Sequence, residues 1–503
     1  MKSPQQAQWS EAMASELASL EAMGAWRVVD MSKAEDKRII RPLWRLSEKL
    51  DENGNVYRLK ARLVARGDML PRSECPDVHA PVVSSNVLNI FCALAVHYEW
   101  TLNHVDFTTA FLNSDLDEVV YMHPPRGMDV SGGKVLRLLK SLYGLPQSGK
   151  NWYNCLSAYL VDIGFVQLEC DRCVFVRQRG SQFIAIGAHV DDLLTLTDCQ
   201  RSYDILHKEL EKKFKLGKCT PLRHYCGIVV RRTEDTIALS QPYYTENILT
   251  AFDMSKCNPR ATPADPAPLR AAAEGEEPMD KQLYASAVGS LLWLSTNTRP
   301  DIAHAVQRAA TYMAQPTAKH WSAVKQIFRY LRGSNRGLLY KKSAPLQPVV
   351  YCDADFGGDL DTRRSTMGVC VMMANAPVLW RSVRTKNVVL STAESEYCAQ
   401  SEGARSASFI YNLLGEMGLR DAITLPISFK CDNMSTIAMI TSGKTSARTR
   451  HIDVAVHHVR EKAARGFLSV DYVPTEEMIA DIFTKPLPRP AFLRIRGDVT
   501  FEE

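Results

Sequence analysis

The chain has 503 residues, of which 46% are hydrophobic and 23% are charged. This composition excludes a wholly disordered chain, and the length allows about three or four domains. The 61 Lys and Arg residues against 56 Asp and Glu residues give a net charge of +5, which is too small to indicate a nucleic-acid partner by itself.

The N-terminus has no apolar core like that of a signal peptide, and no apolar run approaches the ~18–20 residues that span a bilayer. We therefore expect a chain that stays inside the cell and contacts no membrane. Its 13 cysteines are then expected to be reduced thiols. Cys170 and Cys173 form one close pair without a second pair at zinc-ligand spacing, so we expect no metal there.

Helical spacing of apolar residues predicts a first helix over 9–25. Strands over 44–50 and 57–65 follow, joined by an Asn-Gly turn. In the second strand Arg58, Lys60 and Arg62 share one face, which is either a solvated face or a phosphate-facing ridge. The next predicted elements are a helix over 86–99, a strand over 102–107, a helix over 152–163, a hairpin over 173–190, a strand over 193–197 and a helix over 203–214.

Five prolines make residues 258–282 the best linker candidate. Helices are predicted over 284–297, from 301 and over 321–332. A compact α/β unit follows, with strands over 349–353, 366–373, 378–384, 427–432 and 468–473 and helices over 391–415, 434–442, 452–465 and near 481.

Two sets of acidic residues lie at strand ends, turns and helix starts. Asp106 ends a strand, and Asp191 with Asp192 lies in a hairpin turn. The second set consists of Asp353, Glu396, Asp432 and Asp481. Clustered carboxylates repel unless a cation joins them, and Mg²⁺ prefers carboxylates and phosphates. Spacing alone leaves ordinary turns and caps as the alternative.

The order of motifs decides between these alternatives. KARLVARG (60–67), VDFTTAFLN (105–113), YM with PP (121–125), LYGLPQ (142–147) and HVDD (189–192) resemble the motifs of copia-type retrotransposon reverse transcriptases. YCDADFGGD (351–359), RSTMG (364–368), LSTAESEY (390–397), CDN (431–433) and ADIFTK (480–485) resemble the RNase H domain of the same family. TRPD (298–301) and RYLRG (329–333) resemble the segment that joins the two enzymes.

The resemblance implies roles for particular residues. Asp106, Asp191 and Asp192 match the metal-binding carboxylates of the polymerase, and Asp353, Glu396, Asp432 and Asp481 match those of the nuclease. Phe111 matches the ring that excludes a 2′-hydroxyl, and Gln147 matches the residue that orients the nucleotide. Lys60 or Arg62 is expected to meet the triphosphate.

Three positions depart from the family pattern. His189 replaces a usual aromatic residue near the primer end, Pro146 replaces a usual Lys or Arg, and Asp68 replaces a usual aromatic residue. These changes bear on efficiency or fidelity and remove no metal ligand. His451 matches a family motif whose role does not follow from the residues, and a zinc site there is not expected.

The resemblance implies an α+β right-hand polymerase with fingers and palm (1–215) and thumb (216–263), a linker and helical connection (264–345), and an α/β RNase H-like domain (346–503). We expect RNA-directed DNA synthesis and cleavage of RNA in the hybrid, with Mg²⁺, or Mn²⁺ in its place, as cofactor. The expected partners are an RNA template, a DNA primer, the RNA–DNA hybrid and deoxynucleoside triphosphates.

The family's protease and integrase signatures are absent from this sequence, which we interpret as the C-terminal part of a Pol polyprotein or a solitary remnant. The expected location is a cytoplasmic virus-like particle, with the nucleus as a second location, and an oligomer is left open. Two rival functions also remain: a decayed or domesticated protein that binds nucleic acid, and a nuclease with an inactive polymerase.

Overall fold

The computed structural model describes residues 6–34, 37–50, 56–71, 73, 78–130, 132–217, 220–441 and 453–503. Its α-helices in chain order are α1 Gln6–Ala22, α2 Ser85–His97, α3 Ser148–Asp162, α4 Gln200–Glu211, α5 Pro242–Ala251, α6 Lys281–Asn297, α7 Ala303–Ala310, α8 Ala318–Arg332, α9 Thr392–Glu416, α10 Met434–Thr441, α11 Asp453–Ala464 and α12 Arg489–Val499.

The strands in chain order are β1 Trp26–Asp30, β2 Ile39–Ile40, β3 Pro42–Leu50, β4 Val56–Ala65, β5 Thr101–Asp106, β6 Tyr121–Met122, β7 Lys134–Leu138, β8 Val166–Gln167, β9 Val174–Arg179, β10 Gln182–His189, β11 Asp192–Thr197, β12 Thr220–Pro221, β13 His224–Tyr225, β14 Ile228–Arg232, β15 Thr236–Ser240, β16 Arg336–Lys341, β17 Val349–Asp355, β18 Thr366–Met373, β19 Ala376–Arg384, β20 Ile427–Cys431, β21 Leu468–Tyr472 and β22 Phe501–Glu502.

An antiparallel sheet in the order β12-β5-β11-β10-β9-β8 forms the palm. Helix α2 is buried along nearly its whole length because its apolar residues occupy all sides, and it packs against one face of this sheet. Trp152 of α3 and Leu206 of α4 pack against the other face. The sheet is therefore covered on both sides, and its strand ends are the places where polar side chains meet solvent.

The fingers consist of a sheet in the order β1-β7-β6-β2 and a separate hairpin of β3 and β4. Along β4, Ala61 and Leu63 are buried, whereas Arg58 is exposed and Lys60 and Arg62 are partly exposed. This alternation confirms the predicted division of the strand into an apolar and a basic face. Helix α1 packs against β4, and the predicted hairpin turn at 53–54 lies outside the described residues.

A third sheet, in the order β13-β14-β15-β16-β22, joins distant parts of the chain. Strand β16 pairs with β15 on one side and with β22 near the C-terminus on the other. The sequence did not predict β12 to β16, α5, α12 or β22, because these short strands and helices carry weak periodic patterns. The proposed domain boundaries at 215, 263 and 345 stay a prediction.

The C-terminal unit has a sheet in the order β19-β18-β17-β20-β21. Strand β17 pairs antiparallel with β18 and parallel with β20. Helix α9 crosses β17 so closely that a Cβ atom at Gly403 would lie 2.3 Å from Cys352 Sγ. The predicted strands and helices of this unit are all present, and the short helix near 481 is the 3₁₀-helix Ile479–Phe483.

The predicted linker over 258–282 contains no strand and only the start of α6, yet it is bound along its length. Arg329 Nε donates to Asn258 O at 2.7 Å, and Tyr312 OH donates to Leu269 O at 3.0 Å. This segment is therefore held against α8 and Tyr312 by hydrogen bonds, and it is not a free hinge. Among the described residues, no helix combines the length and apolar character needed to cross a bilayer.

Candidate active sites

The first acidic set lies where β5 ends beside the turn between β10 and β11. Asp106 is the last residue of β5, and Asp192, the first residue of β11, pairs with it in register. Asp191 lies in the turn itself, preceded by Val190, whose φ of 52° is left-handed. Trp152 Nε1 donates to Val190 O at 2.6 Å and holds this turn against α3. Local strand pairing therefore brings the three predicted aspartates to one edge of the palm.

These strand ends open into a cleft of about 770 Å³. Asp106 and Asp191 line it on one side, and Arg58, Lys60 and Arg62 line it from β4. The polar face of α1 forms a further wall. The basic face predicted from the alternation of β4 therefore lines the same cleft as two of the predicted carboxylates, and Asp192 is not among the lining residues.

The electrostatics of Asp106 reflect burial and, after it, the crowding of like charges. Burial and the neighbouring Asp192 and Asp191 carboxylates raise the pKa of Asp106, whereas His104 and Lys60 act in the opposite direction. A divalent cation in the cleft would relieve this repulsion and take the carboxylate oxygens that hard ions prefer. The donor set therefore fits a divalent cation.

Tyr143 links two of the predicted substrate residues, although no role was predicted for it. Its hydroxyl lies 3.4 Å from Asp191 Oδ2, and the Arg62 guanidinium lies 3.8 Å from its ring centroid. The Phe111 ring meets the Tyr143 ring edge-on at 4.6 Å. Burial raises the pKa of Tyr143 to about 12. Its place in the LYGLPQ motif was the signal that could have identified it.

Gln147 occupies a different environment from the other predicted substrate residues. It is 5% exposed, and its Nε2 donates to Glu118 Oε2 at 2.9 Å. It is not among the residues that line the cleft. Sequence reasoning missed Glu118, because nothing in its local pattern indicates a partner 29 residues away.

The second acidic set meets at the edge of the C-terminal sheet. Asp353 lies in the central strand β17, Asp432 follows β20, and Asp481 lies in the 3₁₀-helix. Each of the three offers an oxygen, and these oxygens lie within 4.8 Å of one another. A Cβ atom at Gly368 of β18 would lie 2.7 Å from Ala480 O, so the glycine lets the 3₁₀-helix approach the sheet.

Glu396 points into the same cluster from α9. The helix begins as predicted, with Ser391 Oγ accepting a hydrogen bond from Glu394 N at 3.2 Å. Burial and the carboxylates of Asp353 and Asp432 raise the pKa of Glu396. Its Oε2 is buried and has no hydrogen-bond partner among the described residues. A buried carboxylate oxygen without a partner is costly, which is the arrangement expected where a cation binds.

Lys485 was not predicted to have a role, yet it reaches this cluster. Its Nζ lies 2.7 Å from Asp481 Oδ1 and 3.8 Å from Asp353 Oδ2. Burial acts to lower the pKa of Lys485, but the carboxylates of Asp353 and Asp481 outweigh it and raise that pKa. The lysine therefore compensates part of the negative charge. Its i,i+4 spacing from Asp481 in the ADIFTK motif was the available signal.

A mixed group of donors lies beside the first acidic set. The ligand atoms of His189, Asp192 and Cys226 all lie within 4.8 Å of one another. His104 Nε2 lies 2.7 Å from Asp192 Oδ1, so a second imidazole contacts this carboxylate. Sequence reasoning identified His189 as a departure but missed Cys226. His451 lies outside the described residues.

Comparisons with known proteins agree with the order of the motifs. A family model described as reverse transcriptase (RNA-dependent DNA polymerase) matches residues 23–266. The chain is 34% identical over 491 residues to the retrovirus-related Pol polyprotein from transposon RE1 of Arabidopsis thaliana, covering 96% of this chain and 33% of that protein. It is 34% identical over 504 residues to that from transposon TNT 1-94 of Nicotiana tabacum, covering 97% and 37%.

The chain thus spans about a third of the length of these curated relatives. A putative transposon Ty5-1 protein of Saccharomyces cerevisiae is 30% identical over 306 residues, which are 59% of this chain and 98% of that protein. A foamy viral protease-reverse transcriptase in complex with an RNA/DNA hybrid aligns over 93% of this chain and 54% of its own, at 11% identity and a TM-score of 0.47. The relatives that match nearly the whole chain, the transposon protein that is covered to 98% of its length and the match over 23–266 place the chain in the copia-type retrotransposon Pol family.

Proposed function

We propose that this chain is an RNA-directed DNA polymerase that also cleaves RNA in RNA–DNA hybrids. The observation that carries the proposal is the cleft that Asp106 and Asp191 line together with Arg58, Lys60 and Arg62. Nucleotidyl transfer needs carboxylates at the reacting phosphate and cations at the triphosphate, and this cleft offers both.

For each site we propose Mg²⁺, or Mn²⁺ in its place, as the cofactor. Asp106, Asp191 and Asp192 would hold it in the polymerase, and Asp353, Glu396, Asp432 and Asp481 would hold it in the nuclease. Such ions would supply Lewis acidity to the reacting phosphate in both sites. The crowded Asp106 carboxyl and the unpartnered Glu396 oxygen support this assignment.

In the polymerase, the chain's own residues would bind and orient the substrate. Lys60 and Arg62 would meet the triphosphate, and the stacking of Arg62 on Tyr143 would hold its guanidinium toward the cleft. Phe111, packed against the same tyrosine, would exclude a 2′-hydroxyl by steric clash. Gln147 would act on the nucleotide only after its hydrogen bond to Glu118 breaks or the nucleotide approaches that pair.

The substrates that follow from this proposal are deoxynucleoside triphosphates, a primed RNA template and the RNA–DNA hybrid formed by synthesis. The protease and integrase parts of a Pol polyprotein would be supplied elsewhere. The rival functions, a remnant that only binds nucleic acid and a nuclease with an inactive polymerase, are outcomes of the test below. Both catalytic sets keep all seven acidic residues, which favours the enzyme.

The test measures two activities in two matched variants. Labelled deoxynucleotide incorporation on primed homopolymer RNA with Mg²⁺ should disappear in Asp191→Asn and persist in Asp353→Asn. Cleavage of a labelled RNA–DNA hybrid should show the reverse pattern. A folded wild type that cleaves hybrid but incorporates nothing would support the nuclease, and one with neither activity would support the binding remnant.

A further inference from the structure

We propose that His189, Cys226 and Asp192 form a binding site for a thiophilic divalent cation of the zinc class, which borders the acidic cleft and shares Asp192 with the polymerase set. His189 ends β10, Asp192 begins β11, and Cys226 lies in the tight turn between β13 and β14. Tertiary structure thus brings an imidazole, a carboxylate and a thiol together, with ligand atoms within 4.8 Å of one another.

Neighbouring side chains orient these donors. His189 Nδ1 lies 3.6 Å from Cys226 Sγ, so the imidazole and the thiol already face each other. His104 Nε2 lies 2.7 Å from Asp192 Oδ1 and restricts the orientation of this carboxylate. The Tyr225 ring lies 6.2 Å from the His189 ring and 6.3 Å from the His104 ring and forms an apolar wall. Partners that fix a ligand's orientation raise the affinity of metal sites.

The kinds of donor atom select the class of cation. Zn²⁺ takes thiolate, imidazole and carboxylate ligands, and a site with three protein ligands leaves a position for water. Mg²⁺ prefers oxygen ligands and would find only Asp192 here. Sulfur and nitrogen donors favour the later transition metals over Mg²⁺. This site and the acidic cleft are therefore expected to prefer different cations.

The location of the site couples it to the polymerase, a consequence that rests on the proposed function. Asp192 pairs with Asp106 in register and follows Asp191 directly in the chain. A cation held by Asp192, His189 and Cys226 would fix the turn between β10 and β11. We therefore expect Zn²⁺ to reduce nucleotide incorporation at saturating Mg²⁺, and the reduction should depend on Cys226.

Binding is tested with Co²⁺, whose bonds to thiolate give a charge-transfer absorption that carboxylate-only sites lack. The full-length chain is titrated with Co²⁺ without nucleic acid or nucleotide, and Zn²⁺ is then added as a competitor. The wild type should show a saturable thiolate band that Zn²⁺ removes. Cys226→Ser should lose the band, and His189→Gln should weaken Co²⁺ binding by roughly tenfold or more.

Cys199→Ser is the matched control, because Cys199 is an exposed free thiol outside the cluster, and this variant should titrate like the wild type. A band that survives in Cys226→Ser and His189→Gln overturns the proposal, as does a folded wild type without the band. Should Cys226→Ser fail to fold, His189→Gln decides alone. The readout is independent of incorporation, so an inactive polymerase with an intact band would refute the proposed function and leave the metal site standing.

Discussion

Lys60 and Arg62 of β4 line the same cleft as Asp106 and Asp191. If they bind the triphosphate, replacing both with alanine removes charge-assisted hydrogen bonds worth about 1.5–3 kcal/mol each. We expect the KM for deoxynucleotides to rise by roughly tenfold or more. Steady-state incorporation kinetics measure this change. Arg27→Ala, at an exposed position on β1, is the control. An unchanged KM in the double variant would show that Lys60 and Arg62 do not bind the triphosphate.

Glu396 is a buried carboxyl, and its ionisation destabilises the folded chain when no metal is bound. Burial and neighbouring carboxylates raise the pKa of Glu396 in the folded chain above its pKa in the unfolded chain. The folded chain therefore keeps its stability while Glu396 is neutral at low pH. It loses stability as the pH rises from the unfolded pKa through the folded pKa. Glu396→Gln should therefore raise the melting temperature of the chelator-treated chain at about pH 8, with little change near pH 4.

Calorimetry with a chelator measures this difference, and Glu476→Gln at an exposed position serves as the control. The same Glu396→Gln variant is expected to lose hybrid cleavage, so stability and activity should move in opposite directions. A variant that is less stable than the wild type at the higher pH would contradict the account of Glu396.

At the scale of single elements, buried polar contacts join the TRPD motif (298–301) to the RYLRG motif (329–333). Arg299 and Asp301 form a fully buried, two-bonded ion pair, with Nη2 to Oδ2 at 2.8 Å and Nε to Oδ1 at 2.9 Å. Tyr330 of α8 donates to the same Asp301 carboxylate at 2.5 Å, and Arg299 Nη1 donates to Ser334 O at 2.9 Å. The pair therefore locks α8 to the segment before α7.

Asp301→Ala should leave the Arg299 charge buried and unpaired, at a cost of about 3–5 kcal/mol in the free energy of unfolding. Denaturant unfolding measures this loss. The control is Glu461→Ala, which breaks an exposed pair with Arg465 and should cost at most about 0.5 kcal/mol. Similar losses in both variants would show that the buried pair stabilises the fold no more than the exposed pair does.

Elements with strong local patterns were predictable from the sequence. The alternation along β4 gave its two faces, and apolar runs ending in Asp106 and Asp353 gave β5 and β17 within two residues of their ends. Contacts between distant segments were not predictable. Cys226 beside His189, Glu118 beside Gln147 and Tyr330 beside Asp301 each depend on tertiary packing, which local periodicity does not encode. The seven acidic residues could be named from the sequence because the motifs mark each of them individually, and their roles stay a prediction.

At the scale of the whole molecule, the C-terminal unit and the palm share contacts. Asn89 Nδ2 of α2 donates to Val378 O of β19 at 3.4 Å, and Glu416 Oε2 of α9 accepts from Glu169 N at 2.7 Å. Trp380 Nε1 of β19 donates to Ser295 O of α6 at 2.7 Å. One cluster of buried apolar residues includes α2, the strands β14, β15 and β16, and the C-terminal sheet.

A shared core predicts that the units unfold together. We expect a single calorimetric transition, with incorporation and hybrid cleavage lost over the same temperature range. Asp191→Asn, which changes no core contact, should leave this transition single. Two well-separated transitions, each accompanied by the loss of one activity, would instead mean that the units are thermodynamically independent.

Strand β16 ends at Lys341, and its partner β22 begins at Phe501. During synthesis on the ribosome at roughly 5–20 residues per second, about 160 residues must follow β16 before β22 exists, a delay on the order of ten seconds. Throughout that interval Arg336 and Gly337 of β16 lack the partner that β22 provides. An unpaired strand edge favours pairing with any extended segment nearby.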